Sequence, residues 1–149
     1  LGGAGGWMGL DAWLVVQKIQ SAGFAQWPES QRQAIVNAFE AQWTKALNAG
    51  HAHGELYGAL ETLAPGRAEA IWTVALDAGV KPALDLVIEL VLSDWALLYG
   101  TADRHEPWRR VTFFLRAQFE RLRQIWMATD GADSRLEEAL LRIEFAKAY

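Results

Sequence analysis

Apolar residues recur at spacings of three and four along almost the whole chain, the period of one face of an α-helix. Between residues 28 and 50, Ile35, Val36, Phe39, Trp43 and Leu47 fall on one stripe. Pro28 suits the first turn of that helix, Glu29 its positive end, and Gly50 a left-handed stop. An earlier helix covers residues 10–22 and ends at Gly23. A third carries Leu56, Tyr57, Leu60 and Leu63 and is broken by Pro65-Gly66. A fourth carries Ile71, Trp72, Ala75 and Leu76 and ends at Gly79. From Pro82 to Gly100 the run "PALDLVIELVLSDWALLYG" is apolar on most of its circumference, which predicts a buried helix. Lys81, Asp85, Glu89 and Ser93 recur every four positions there and form one wet stripe. Pro107 opens a long helix that runs to about Thr129, with Val111, Phe114, Leu115, Leu122, Ile125 and Trp126 facing inward. Ser134 and Glu137 fit a capping box for the last helix, which turns Leu136, Leu140 and Ile143 to the core.

No segment shows a sustained alternation rich in Val, Ile and Thr, so strands are not expected. The pattern predicts an all-α fold, a compact irregular bundle of about seven helices joined as antiparallel hairpins by short Gly/Pro joints. A HEAT-like array of hairpins is the alternative. The Gly-rich start, residues 1–9, reads as a flexible lead-in, and residues 10–149 as a single helical domain. The chain has 149 residues, one ordinary domain in length. A hydrophobic content of 52% supplies a real core. Eight tryptophans add large buried area. Trp43, Trp72, Trp95 and Trp126 sit in apolar stripes and are expected in the core. Trp27 and Trp108 adjoin prolines at helix entries, where a bulky residue can staple the first turn.

The chain contains no cysteine, which removes disulfide, thiolate and zinc-finger chemistry. The formal charge is −4, the wrong sign for a general nucleic-acid binder. It is uneven: residues 1–100 hold 5 Lys/Arg against 10 Asp/Glu, and residues 101–149 hold 9 against 8. No uncharged apolar run is long enough to span a bilayer.

The stretch "WPESQRQAIVNAFEAQWTKAL" resembles the Trp-Pro-acid, helix, Trp signature of a bacterial family of hypothetical proteins, and "SRLEEALLRIE" resembles that family's closing helix. The chain departs at Leu140 and Leu141, where the family tends to place aromatics. The family carries a further N-terminal region, so the resemblance implies that this chain is similar to its C-terminal helical part. It implies a bacterial, cytoplasmic protein and no particular activity. On that footing Trp7 and Trp13 are candidates to face such an N-terminal region.

Three groups of residues could carry chemistry. His51 and His53 flank one alanine in "GHAHGE" between two glycines. In a loop this spacing turns both imidazoles one way, and His105 or Glu55 could complete a divalent metal site. The plainer alternative is three polar loop residues, and no cofactor. Arg109, Arg116 and Arg123 are seven apart and line one side of the long helix, where they could dock an acidic partner, RNA or a phosphate, or could pair with acids on neighbouring helices. Asp85, Glu89 and Asp94 could serve as paired carboxylates or as a wet helix edge. No phosphate loop, dinucleotide fingerprint or Ser–His–acid order is present. The expected function is therefore a non-enzymatic protein–protein interaction module, a regulator or immunity-type partner binder. Its candidate surface holds Arg109, Arg116, Arg123, Trp7 and Trp13. Its partner would be another protein or an N-terminal region of the same protein, with no membrane and no nucleic acid. A small-molecule or metal-binding helical domain is the alternative, and would show a deep pocket lined by Trp or Tyr.

Overall fold

A computed structural model describes residues 6–52, 54–93 and 106–147, with side chains described for all of these except 6–11, 13, 54, 93 and 106–110. Every regular element among them is helical: α1 (Gly6–Ser21), a short 3₁₀ turn (Phe24–Gln26), α2 (Glu29–Ala49), α3 (Gly54–Leu63), α4 (Arg67–Asp77), α5 (Lys81–Ser93), α6 (Glu106–Ala117), α7 (Phe119–Ala128) and α8 (Ser134–Lys147). The all-α expectation holds. The first helix begins at Gly6, ahead of the expected Leu10. The chain forms two compact units, Leu1–Ala83 and Leu84–Tyr149.

In the first unit α1 packs on α3, and α2 packs on α3 and α4. Its centre is an aromatic triad. Trp43, Tyr57 and Trp72 are wholly buried and meet edge to face, with centroids 6.0 Å apart for Trp43–Tyr57, 5.6 Å for Trp43–Trp72 and 5.9 Å for Tyr57–Trp72. Such pairs add about 0.5–1.5 kcal/mol each beyond the area they bury. An indole N–H without an acceptor would forfeit that gain, and both are satisfied. Trp43 Nε1 donates to the Ala68 carbonyl at 3.0 Å and Trp72 Nε1 to the Ala83 carbonyl at 3.0 Å. The Tyr57 hydroxyl donates to Glu69 at 2.8 Å.

The joints follow from their residues. Gly50 takes the left-handed conformation, φ 79°, and the His51 N–H bonds back to the Ala46 carbonyl at 2.9 Å, closing a Schellman turn. Pro28 sits one position outside α2, as its N-terminal cap residue. Trp27 folds back on the end of α1, donating Nε1 to the Ala22 carbonyl at 3.1 Å, and its ring meets Phe24. Pro65-Gly66 turns α3 into α4, and Glu61 spans that turn. The Glu61 carboxylate is buried and accepts the Gly66 N–H at 2.8 Å and the Ala68 N–H at 2.9 Å. These donors open α4 and have no partner within the helix.

In the second unit α7 packs on α8, and α6 touches both. Val111, Leu115, Leu122, Leu136 and Ile143 form its buried centre. The expected long helix from Pro107 to Thr129 is divided at Gln118, whose φ −83° and ψ 0° leave the helical basin. The side chain explains how the break is tolerated while buried. Gln118 Nε2 donates to the Phe114 carbonyl at 3.1 Å, the acceptor that an unbroken helix would give to the Gln118 N–H. Gln118 Oε1 accepts Arg121 Nε at 3.1 Å. Ile125 and Trp126, expected inside, are only half-buried.

The cap of α8 also differs from the expected capping box. Asp133 Oδ1, not Ser134, accepts the N–H groups of Arg135 at 3.0 Å and Leu136 at 3.2 Å, which puts a carboxylate at the positive end of the helix. Asp133→Ala is expected to destabilise the second unit by about 1 kcal/mol, and Ser134→Ala by much less. Urea midpoints for the two variants test the assignment, and the reverse order would restore Ser134 as the cap. Before α8, Gly131 has φ 69°, and a Cβ there would lie 3.0 Å from Trp126 Cζ2. Gly131→Ala therefore combines left-handed strain of about 1–2 kcal/mol with a displaced indole. Gly50→Ala carries the strain with only an ordinary 3.7 Å contact to Pro82. Gly131→Ala should show the larger loss of stability in denaturation, and equal losses would contradict the ring contact.

Candidate interaction site

Of the proposed metal ligands, His51 lies exposed in the joint after α2. His53 and His105 lie outside the described residues. Among the described residues no group of three or more His, Asp or Glu side chains could hold a metal ion. Asp85 is half-exposed and Glu89 exposed on α5, while Asp94 lies outside the described residues.

The arginine row is not one row. Arg109 and Arg116 belong to α6 and Arg123 to α7, so the break at Gln118 interrupts the seven-residue spacing that would align them. The side chain of Arg109 lies outside the described residues, and Arg116 is half-buried. Arg123 turns to its own helix. Its Nε reaches both Glu120 carboxylate oxygens at 2.8 Å, and Nη1 lies 3.2 Å from Met127 Sδ. These hydrogen bonds hold the Glu120 carboxyl below the usual glutamate range and raise the Arg123 guanidinium above its own. Both groups stay in water, so the pair is a local surface contact. Trp7 and Trp13 lie on α1, with their side chains outside the described residues.

The concave apolar surface lies elsewhere. An open groove of about 610 Å³ runs between α2 and α4, within the usual range of binding sites, about 300–1,000 Å³. Buried Leu47 and Ala75 are its floor. Ile71 and Val74 of α4, with Ala78 and Val80 of the joint that follows it, form one side, and Thr44 and Asn48 the α2 rim. Val74 stands 68% exposed. Arg67 also lines the groove and is held in an ion pair with Glu40. A smaller hollow of about 340 Å³ includes Phe24, Arg32, Val36 and Pro65, and there Arg32 Nε is tied to the Trp27 carbonyl at 3.1 Å. Apart from Thr44, Asn48 and Arg67, the lining of the α2–α4 groove is aliphatic. The Trp43, Trp72 and Tyr57 rings are sealed in the core, with their polar atoms bonded to the protein itself.

The chain matches no family model, no curated protein and no solved structure. No helix among the described residues is long and apolar enough to cross a membrane.

Two kinds of residue escaped the sequence pattern. Val74, Leu141 and Phe145 are apolar residues lying outside the inward stripes of their helices, and all three are exposed. The available signal was that surplus: a helix whose core face is already complete carries further large apolar residues. Glu61 is the second kind. A lone acid near Pro-Gly is unremarkable in sequence, and only the tight turn brings it back to the α4 start.

Proposed function

We propose that this chain is a non-enzymatic protein–protein interaction module which receives the apolar face of a partner helix in the groove between α2 and α4, and so regulates that partner. The observation that carries this is the aliphatic wall of the groove, with Val74 standing in solvent above a floor of Leu47 and Ala75. A docking helix presents apolar anchors at every third and fourth position. Ile71 and Val74 on α4 and Ala78 at its C-terminal cap share that spacing and offer complementary contacts. Full burial of a valine or isoleucine side chain stabilises a complex by about 1.5–3 kcal/mol, so Val74 supplies one anchor and the rest of the groove lining must add to it to offset the cost of association. The Tyr57 hydroxyl and the Glu61 carboxylate on α3 are bonded within the fold.

The test is site-specific photo-crosslinking in the cells that natively express the protein. A photoreactive phenylalanine analogue replacing Val74 is expected to give a discrete protein adduct. The same analogue replacing exposed Gln33 is expected to give none, and Ile71→Asp should remove the Val74 adduct. Adducts that are the same at both positions, or no adduct at Val74, would overturn the proposal.

A further inference from the structure

The second unit carries an exposed apolar surface of its own on α8. On α8 the inward stripe is complete with Leu136, Ala139, Leu140, Ile143 and Ala146, all buried. Leu141 and Phe145 lie opposite, 63% and 60% exposed. On a helix surface the neighbours of a residue are those three and four positions away. For Leu141 these are Glu137, Glu138, Glu144 and Phe145. Three of the four are glutamates, and all three are exposed.

The cations of α8 do not neutralise this face evenly. Arg142 donates Nη1 to the Leu92 carbonyl at 2.6 Å and Nη2 to Glu138 at 3.2 Å, so it is drawn toward the end of α5. Lys147 sits 4.7 Å over the Phe119 ring. Glu137 and Glu144 flank the apolar pair on the side away from Arg142. The outcome is a small apolar centre with an acidic border. Exposed aromatic and aliphatic anchors favour apolar burial, while the like-charged rim repels an acidic partner and attracts a basic one.

We propose that the Leu141–Phe145 face of α8 is a docking surface for a basic amphipathic helix of another protein, with its apolar residues on Leu141 and Phe145 and its Lys or Arg residues on Glu137 and Glu144, while Glu138 is held by Arg142. The test uses the full chain and two synthetic helical peptides. Both have leucines spaced three and four apart; one has flanking lysines and the other has glutamates in their place. Binding is measured by fluorescence anisotropy at low and high salt. The lysine peptide is expected to bind, with affinity falling as salt screens the rim, and the glutamate peptide not to bind. Combined Glu137→Gln and Glu144→Gln should weaken the lysine peptide by about tenfold. Leu141→Ser with Phe145→Ser should abolish binding while circular dichroism stays unchanged, since both side chains are exposed. Val74→Asp should leave peptide affinity unchanged, which separates this surface from the groove. Failure of the lysine peptide to bind, equal binding of both peptides, or unchanged affinity in the glutamine variant would overturn the proposal. So would sedimentation showing a dimer that the double serine variant dissociates, because the face would then belong to a second copy of the chain.

Discussion

Trp43→Ala is expected to destabilise the first unit by about 3–5 kcal/mol, the usual range for removing a large buried aromatic. Three losses combine at one position. The ring leaves its edge-on contacts with Tyr57 and Trp72, a cavity opens in a wholly buried place, and the Ala68 carbonyl loses its indole donor. Ordinary domains are stable by about 5–15 kcal/mol, so the variant should unfold at a much lower urea concentration or fail to fold at 37 °C. Trp43→Phe keeps an aromatic ring in the triad and drops the hydrogen bond, so its loss should be clearly smaller. Urea denaturation followed by far-ultraviolet circular dichroism measures both. A Trp43→Ala midpoint close to wild type would show that the triad does not organise the unit.

The second large effect is expected at Glu61. Glu61→Ala leaves the part-buried Gly66 N–H and the buried Ala68 N–H without their acceptor at the start of α4. An unsatisfied buried donor costs about 1–3 kcal/mol, and two of them point to a loss of about 2–4 kcal/mol, with the lower end applying where water enters. Glu61→Gln retains one carbonyl oxygen but sets an amide N–H₂ against a backbone donor and removes the charge at the helix start. It should fall between alanine and wild type. Hydrogen exchange adds a local readout: the first-turn amides of α4 should lose protection in Glu61→Ala ahead of those of α2. If α4 keeps its protection, the carboxylate is not what anchors that turn.

Much of the fold was legible because it rests on period and punctuation. The stripe Val36, Phe39, Trp43 and Leu47 is the buried face of α2, and Gly23, Gly50 and Gly79 all take the left-handed backbone that ends a helix. What escaped was decided by side chains acting at short range across a turn. No periodicity marks Gln118 as a break, because its amide restores the hydrogen bond that the backbone gives up. Ser134 resembles a cap more than Asp133 does by the Ser-x-x-Glu rule, yet the residue one place earlier holds the free N–H groups. The candidate site was harder still. Spacing alone aligned Arg109, Arg116 and Arg123, and the break at Gln118 removed the geometric basis for that alignment. The groove depends on how α2 and α4 pack, which a single sequence does not encode in any local pattern. Val74 was the one visible hint.

The aromatic triad also gives the first unit an optical signature. Trp43 and Trp72 lie nearly perpendicular, at 85°, shielded from water and each hydrogen-bonded to a carbonyl. Their emission should sit toward the blue while the unit is folded and shift to the red when it opens. Tyr57, with its ring centre within 6.0 Å of both indoles, should pass its excitation to them and be nearly dark. Excitation at tyrosine wavelengths then reports on the seating of α3 against α2 and α4: Tyr57 emission returns when its ring leaves both indoles.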